Sequence, residues 1–146
     1  MGYTIGQAAK KMGLTAHTLR YYDKEGLLPF VAKSSSGLRI FADSDIEWLV
    51  MIECLKGTGM SLKDIKQYID WFIEGDSTLE LRLEMFKKQK AKLEEQMSQL
   101  KKHLEKIDFK IAYYTDAVAH GNMNVLERNQ ALAAEKKRIF GNDLKR

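Results

Sequence analysis

Residues 15–39 read TAHTLRYYDKEGLLPFVAKSSSGLR. Thr15 is a good N-cap residue type, and the segment behind it carries Arg20, Tyr21 and Tyr22 before Gly26-Leu27-Leu28-Pro29 ends the helical pattern. Two short β-prone runs follow, over residues 30–33 and 38–41, with Ser34-Ser35-Ser36-Gly37 between them. That spacing predicts a hairpin with a small tip. A helix that can enter a groove thus lies beside a wing whose Lys33 and Arg39 flank the tip and can reach a phosphate backbone. A plain surface hairpin is the bland alternative.

Upstream, Thr4 and Gln7 have capping-box spacing, and Ile5, Ala8, Ala9 and Met12 give one apolar face. Gly13 stops this first helix. Two short helices across a tight turn make a helix-turn-helix. In the second helix Leu19 is expected to face the first, and Tyr22 to enter the core. His17 and Thr18 are short polar candidates for base edges. Arg20 and Tyr21 suit phosphates through charge and hydroxyl.

Downstream, Asp43 or Ser44 is expected to cap a helix, with Ser44 and Glu47 spaced as a capping box. Ile46, Leu49, Val50 and Leu55 are assigned to its core side, with Trp48 and Ile52 on an adjoining face. Gly57 and Gly59 break it. Ser61 caps the next helix, whose apolar side is Leu62, Ile65, Ile69 and Phe72 or Ile73, and Gly75 ends it.

A long helix is predicted from near Ser77. Leu79, Leu83, Phe86, Leu93, Met97, Leu100, Leu104, Ile107, Ile111, Tyr114 and Val118 alternate in steps of four and three, interrupted by Lys90. This is a heptad seam. About 40 residues at 1.5 Å each give a rod of roughly 60 Å. Such a stripe needs a partner, and a second copy of the same helix is the natural one, with Leu93, Met97, Leu100, Leu104, Ile107 and Ile111 at its centre. Lys90 in the seam can help set register. After a Gly121-Asn122 turn, Leu126, Ala133 and Ile139 suggest a short amphipathic helix. The expected division is a DNA-binding unit over residues 1–75, a dimerisation helix over 77–119 and a partly helical tail over 120–146.

Composition narrows the classes. The chain has 146 residues, one proline and 30% charged residues, which favours long helices. A single cysteine, Cys54, excludes an intrachain disulfide and a multi-cysteine metal site within one chain. No apolar run approaches the roughly 18 residues of a membrane span, and the N-terminus lacks a signal-peptide core, so a cytoplasmic protein is expected. Net charge is +4, with residues 1–40 at +4, residues 41–75 at −4 and residues 76–146 at +4. The basic first forty residues suit a polyanion. No paired carboxylates, phosphate-binding Gly-rich loop or metal-ligand spacing appears. His17 is assigned to the DNA face, and His103 and His120 lie on the long helix or beyond it, which leaves Cys54 without a catalytic base. An enzyme, a cofactor and a metal are therefore not expected.

Several spaced motifs resemble the MerR family of transcription regulators. They are Tyr3-Thr4-Ile5-Gly6, Leu19-Arg20-Tyr21-Tyr22, Glu25-Gly26-Leu27-Leu28, Gly37-Leu38-Arg39-Ile40-Phe41 and Gly59-Met60-Ser61-Leu62. The resemblance implies a mainly α fold, a winged helix-turn-helix followed by a dimerisation helix that pairs antiparallel with its copy. It also implies a homodimer on double-stranded promoter DNA that distorts the spacer so that RNA polymerase can engage it. The DNA-facing set is then Thr4, Thr15, His17, Thr18, Arg20, Tyr21, Lys33, Ser35 and Arg39, with Arg20, Tyr21 and Arg39 as the main anchors. Larger members carry a ligand domain after the long helix. Here about 28 residues follow it, too few for one. Metal-sensing members use cysteines near that helix's end, where this chain has none.

Cys54 lies in Glu53-Cys54-Leu55-Lys56 before Thr58-Gly59-Met60-Ser61, which resembles the aldehyde- and electrophile-responsive (AdhR/NmlR-like) branch. That resemblance implies a sensor cysteine whose adduct shifts the second helical pair against the DNA-binding unit. A buried, inert thiol is the alternative, as is a redox route through sulfenic acid or a mixed thiol adduct. A second alternative is a non-covalent ligand lined by Tyr68, Trp71, Phe72, Met85 and Phe86. A third is a coiled-coil interaction protein without DNA function.

Overall fold

The computed structural model describes residues 2–141. They fold as α1 (Ile5–Met12), α2 (Ala16–Lys24), β1 (Ala32–Lys33), β2 (Arg39–Ile40), α3 (Asp43–Gly57), α4 (Leu62–Glu74), a 3-10 turn (Asp76–Thr78), α5 (Leu79–His120), α6 (Val125–Arg128) and α7 (Gln130–Phe140). The fold is mainly helical with a two-stranded wing, as the sequence predicts. Two compact units divide near Lys90 and Ala91, within α5.

In the first unit the N-caps of α1, α2 and α4 are local and match expectation. The Thr4 hydroxyl accepts from the Gln7 amide at 3.2 Å, and the Gln7 side chain accepts from the Thr4 amide at 2.9 Å. Thr15 accepts from the Thr18 amide at 3.1 Å, and Ser61 from the Asp64 amide at 3.1 Å. The core gathers Ala8, Ala9, Leu19, Tyr22, Leu27, Leu28, Val31, Phe41, Leu49, Ile52, Met60, Ile65 and Ile69, with Met85 and Phe86 of α5 packed against it.

The wing is shorter than the predicted runs. Only Ala32 pairs with Ile40 and Lys33 with Arg39, antiparallel. Phe41 instead bridges Tyr3 through two backbone hydrogen bonds, at 2.7 and 2.8 Å. Gly37 at φ 84° closes the tip, a conformation that side chains strongly disfavour.

Three local expectations are corrected. Neither Asp43 nor Ser44 caps α3: the N-cap is Ala42, and the buried Asp45 reaches back to accept its amide at 2.8 Å. The Asp43 carboxylate is taken by the Tyr3 hydroxyl at 2.8 Å. Val50 points outward and Ile52 takes the core position, because the α3 core stripe runs through Asp45, Leu49 and Ile52. Phe72 and Ile73 are both exposed, so the core side of α4 stops at Ile69.

In the second unit the tail packs on α5, but not on the heptad seam. It covers Phe109 and Ala117, which lie off the seam, with Val125 fully buried and Phe140 edge-on to Phe109 at 5.5 Å. Arg128 holds the tail through its Nε, which donates to Asp116 at 2.7 Å, and Asn129 adds a bond at 3.4 Å. Burial alone would raise the Asp116 pKa. The Arg128 and Asn129 hydrogen bonds outweigh it and hold the carboxyl below the ordinary aspartate value.

A carboxyl lowered by folding contributes stability above its unfolded pKa and loses it as pH falls through the folded one. Amide NMR of α6 and α7 should therefore keep its dispersion through the ordinary aspartate range and lose it only below. Asp116→Asn should weaken tail docking already at neutral pH and remove that acid step. An unchanged acid profile in the variant would refute the assignment.

Candidate nucleic-acid interface

The turn Gly13-Leu14-Thr15 sets α2 against α1, and the spacing of Leu19 and Tyr22 buries one side of α2. The opposite side presents His17, Arg20 and Tyr21 to solvent. Thr18 is half-buried, and its hydroxyl pairs with that of Thr15 at 2.9 Å. Thr4 and Thr15 are exposed, with their oxygens engaged as helix caps. Lys33 and Ser35 are exposed on the wing.

Arg39 departs from its expected position. It does not flank the tip as a free cation. Its Nε and Nη2 donate to the two carboxylate oxygens of Asp23 at 3.1 and 2.5 Å, and Nη1 donates to the Val31 carbonyl at 2.5 Å. Its side chain is only 19% exposed. A bidentate guanidinium–carboxylate pair is a strong, oriented contact, and here it ties β2 to the last turns of α2.

Arg20 and Asp23 of α2, Ser34, Ser36, Gly37, Leu38, Arg39 and Ile40 of the wing, and Gly2, Tyr3, Thr4 and Ile5 line one open cleft of about 610 Å³. Sequence reading missed Asp23, Leu38 and Ile40 as members of this surface. The i, i+2 spacing of Leu38 and Ile40 did signal an apolar strand face, although not that the face would be left uncovered. Nothing in the sequence links Asp23 to Arg39.

Tyr22 joins α2 to α3. Its ring is buried, its hydroxyl donates to Glu53 at 2.6 Å, and Lys56 Nζ donates to the same oxygen at 3.0 Å. Burial and the Glu53 bond raise the phenol pKa, while Lys56 opposes them. The hydrogen bond to Tyr22 in turn raises the Lys56 pKa. Cys54 sits between these two residues in sequence and is exposed. At about 100° per residue it lies about 140° around α3 from Leu49, on the outer side. The last turn of α3 leads into Thr58, whose carbonyl accepts from Gln89 of α5 at 2.8 Å.

The aromatics proposed to line a ligand chamber fill their own space. Trp48 meets Phe72 at 4.7 Å and Tyr68 meets Phe86 at 5.2 Å, both edge-on. Trp71 contributes its carbonyl to the Thr78 hydroxyl. The depression beside them, lined by Ser44, Glu47, Trp48, Met51 and Tyr68, is about 230 Å³, below the usual range of roughly 300–1,000 Å³ for small-molecule sites. Among the described residues no group of His, Cys, Asp and Glu could hold a metal ion, and no helix is long and apolar enough to cross a membrane.

Comparison with known proteins agrees with this geometry. Residues 3–70 match the MerR HTH family regulatory protein description, and residues 46–112 match MerR, DNA binding. An HTH-type transcriptional regulator of Haemophilus influenzae is 45% identical over 130 residues, which is 89% of this chain and 96% of that protein. The chain belongs to the MerR family. Its structure also resembles that of HiNmlR, a MerR family regulator lacking the sensor domain, solved bound to promoter DNA. The TM-score is 0.70 at 47% identity, covering 85% of this chain and 98% of that one. The regulator AdhR of Bacillus subtilis is 40% identical over 89 residues, 61% of this chain and 64% of AdhR. This chain is thus a DNA-binding transcriptional regulator of that family.

Tyr22→Phe keeps the buried ring and removes the bridge to Glu53 and Lys56. It should cost about 1–2 kcal/mol in urea unfolding with an unchanged slope. No loss of stability would mean that the bridge between α2 and α3 contributes nothing.

Proposed function

We propose that this regulator binds promoter DNA as a homodimer, reads it with α2 in the major groove, and switches transcription through covalent modification of Cys54. The observation that carries the DNA reading is the shared cleft, in which exposed Arg20 of the recognition helix and the wing present one continuous surface. His17 and Thr18 meet base edges. Arg20 and Tyr21 hold phosphates, with Lys33 and Ser35 reaching the backbone from the wing. Arg39 acts by fixing the wing rather than by offering a free charge. Spacer distortion, which lets RNA polymerase engage the promoter, draws its energy from these backbone contacts.

Dimerisation uses the seam of α5. Met97, Leu100, Leu104, Ile107 and Ile111 are all more than half exposed in the single chain, an apolar stripe that calls for a cover. Charge favours an antiparallel pair with its two-fold axis between Ser98 and Gln99. Leu93 then meets Leu104 of the partner subunit, Lys90 meets Ile107 of the partner subunit, and Glu94 lies opposite Lys101 of the partner subunit. A parallel in-register pair would instead stack Lys90 on its own copy, a like-charge contact inside the seam. In a Cys54→Ala background, the double variant Leu93→Cys/Leu104→Cys should cross-link two chains under mild oxidation, and neither single variant should. Cross-linking by Leu93→Cys alone would indicate the parallel arrangement.

Cys54 is exposed, so an electrophile reaches it without unfolding. With an aldehyde, the thiolate sulfur bonds to the carbonyl carbon, the C=O π pair moves to oxygen, and that oxygen takes a proton, giving a thiohemiacetal. The adduct sits on the turn whose neighbours Glu53 and Lys56 hold Tyr22 of α2. In-vitro transcription with a reactive aldehyde should show activation by the wild type and none by Cys54→Ala. A response retained in the variant would remove Cys54 as the sensor and leave the DNA reading intact.

A further inference from the structure

Helix α4 ends on a charge that belongs to the next helix. Its last turn carries no basic residue and finishes on Glu74, at the end of a helix where a cation is the favoured charge. Arg82, near the start of α5, supplies that cation. Its Nη2 donates to the Gly75 carbonyl at 3.0 Å and its Nε to the Thr78 hydroxyl at 3.1 Å. Thr78 is buried, and its hydroxyl lies 2.6 Å from the Trp71 carbonyl and 2.7 Å from that of Gly75. The oxygen that accepts from Arg82 thus donates back into the end of α4. The guanidinium also stands over the Phe72 ring, 5.5 Å from its centroid. Gly75, at φ 104°, turns the chain inside this cluster, a conformation that side chains disfavour. A second tie lies two turns further along α5, where the Gln89 side chain donates to the Thr58 carbonyl past the end of α3 at 2.8 Å. Between the ties Met85 and Phe86 pack on the core. Apolar packing holds a helix down without fixing its direction. Two directional bonds about 10 Å apart along the axis fix direction as well as position.

We infer that Arg82 and Gln89 are positioning residues that set the angle at which α5 leaves the DNA-binding unit, and with it the half-site spacing that the dimer accepts. The inference rests on the homodimer reading and adds to it the residues that measure the operator. Neither side chain needs to touch DNA. From Arg82 to the centre of the seam, between Ser98 and Gln99, is about 25 Å along the helix. A swing of roughly 10° at the joint would carry the DNA-binding unit about 4 Å, more than the 3.4 Å of one base-pair step. In a symmetric dimer the swing acts twice, once in each copy. The joint is also made from two different kinds of contact. Arg82 ties α5 to the end of α4, and Gln89 ties it to the turn after α3, so loss of either leaves α5 held at one point and free to pivot there.

Spacing preference separates this role from a merely structural one. The probe is a duplex enriched by the full-length wild-type protein from a random-sequence pool, remade with the segment between its half-sites one base pair longer or shorter. Each step changes the separation by about 3.4 Å and the facing of the half-sites by about 35°. The wild type should lose about tenfold or more in affinity on both altered duplexes. Arg82→Met and Gln89→Met keep the side-chain stems and remove the donors. Each should cut that discrimination to about threefold or move the optimum by one base pair. Arg82→Lys, which keeps a donor for the Gly75 carbonyl, should recover part of the wild-type profile. A side chain that only stabilised the fold would weaken binding to all three duplexes alike and leave their ratios unchanged. Unchanged ratios in both Met variants, or no recovery by Arg82→Lys, would overturn the joint while DNA binding stood. If Arg82→Met failed to fold, the ratios of Gln89→Met would decide. A wild type with no spacing preference would overturn the joint together with the dimer reading, and one that enriched no duplex would overturn the DNA reading as well.

Discussion

The clasp between Arg39 and Asp23 is the constraint on which the DNA face depends. A hairpin with two residue pairs has too few ladder bonds to hold a position of its own. Three guanidinium donors supply what the ladder lacks, two to the Asp23 carboxylate and one to the Val31 carbonyl. The Tyr3–Phe41 bridge anchors the hairpin base from the other side. Together they fix the wing against α2. The arrangement consumes the charge of Arg39. Arg20 at the cleft and Lys33 on the wing stay exposed.

The same division of labour runs through α2. Its buried side, Leu19 and Tyr22, belongs to the core, and its other side leaves His17, Arg20 and Tyr21 exposed. Tyr22 connects the two roles, because its ring is packed while its hydroxyl sits between Glu53 and Lys56. The end of α3 is tied in turn to α5 through Gln89 and Thr58. The end of α3 is thus joined to both α2 and α5 by hydrogen bonds.

The long helix uses its sides differently. One side, through Phe109 and Ala117, is covered by the chain's own tail and locked by Arg128 on Asp116. The other carries the leucine-rich seam and stays open in the single chain. Covering the first side within the chain leaves the seam uncovered.

Much of this was legible in the order of residues. The Thr4, Thr15 and Ser61 caps, the Gly37 turn and the seam of α5 depend on partners within a few positions, and local spacing states them directly. The spaced motifs named the family for the same reason, since each is a short run at a fixed place. Other features needed the fold. Arg39 lies sixteen residues from Asp23, and Tyr22 more than thirty from Glu53 and Lys56. Asp45 displaced Ser44 as the residue that completes the α3 cap, and Val50 turned outward because the core lay along Asp45, Leu49 and Ile52. The exposure of Cys54, Leu38 and Ile40 also depends on what packs against them. The sequence by itself determined which segments are helices, where they stop and what family of surfaces they form. Only the tertiary structure decided which charges are spent within the chain and which side chains are left for a partner, because those outcomes depend on groups brought together from distant parts of the chain.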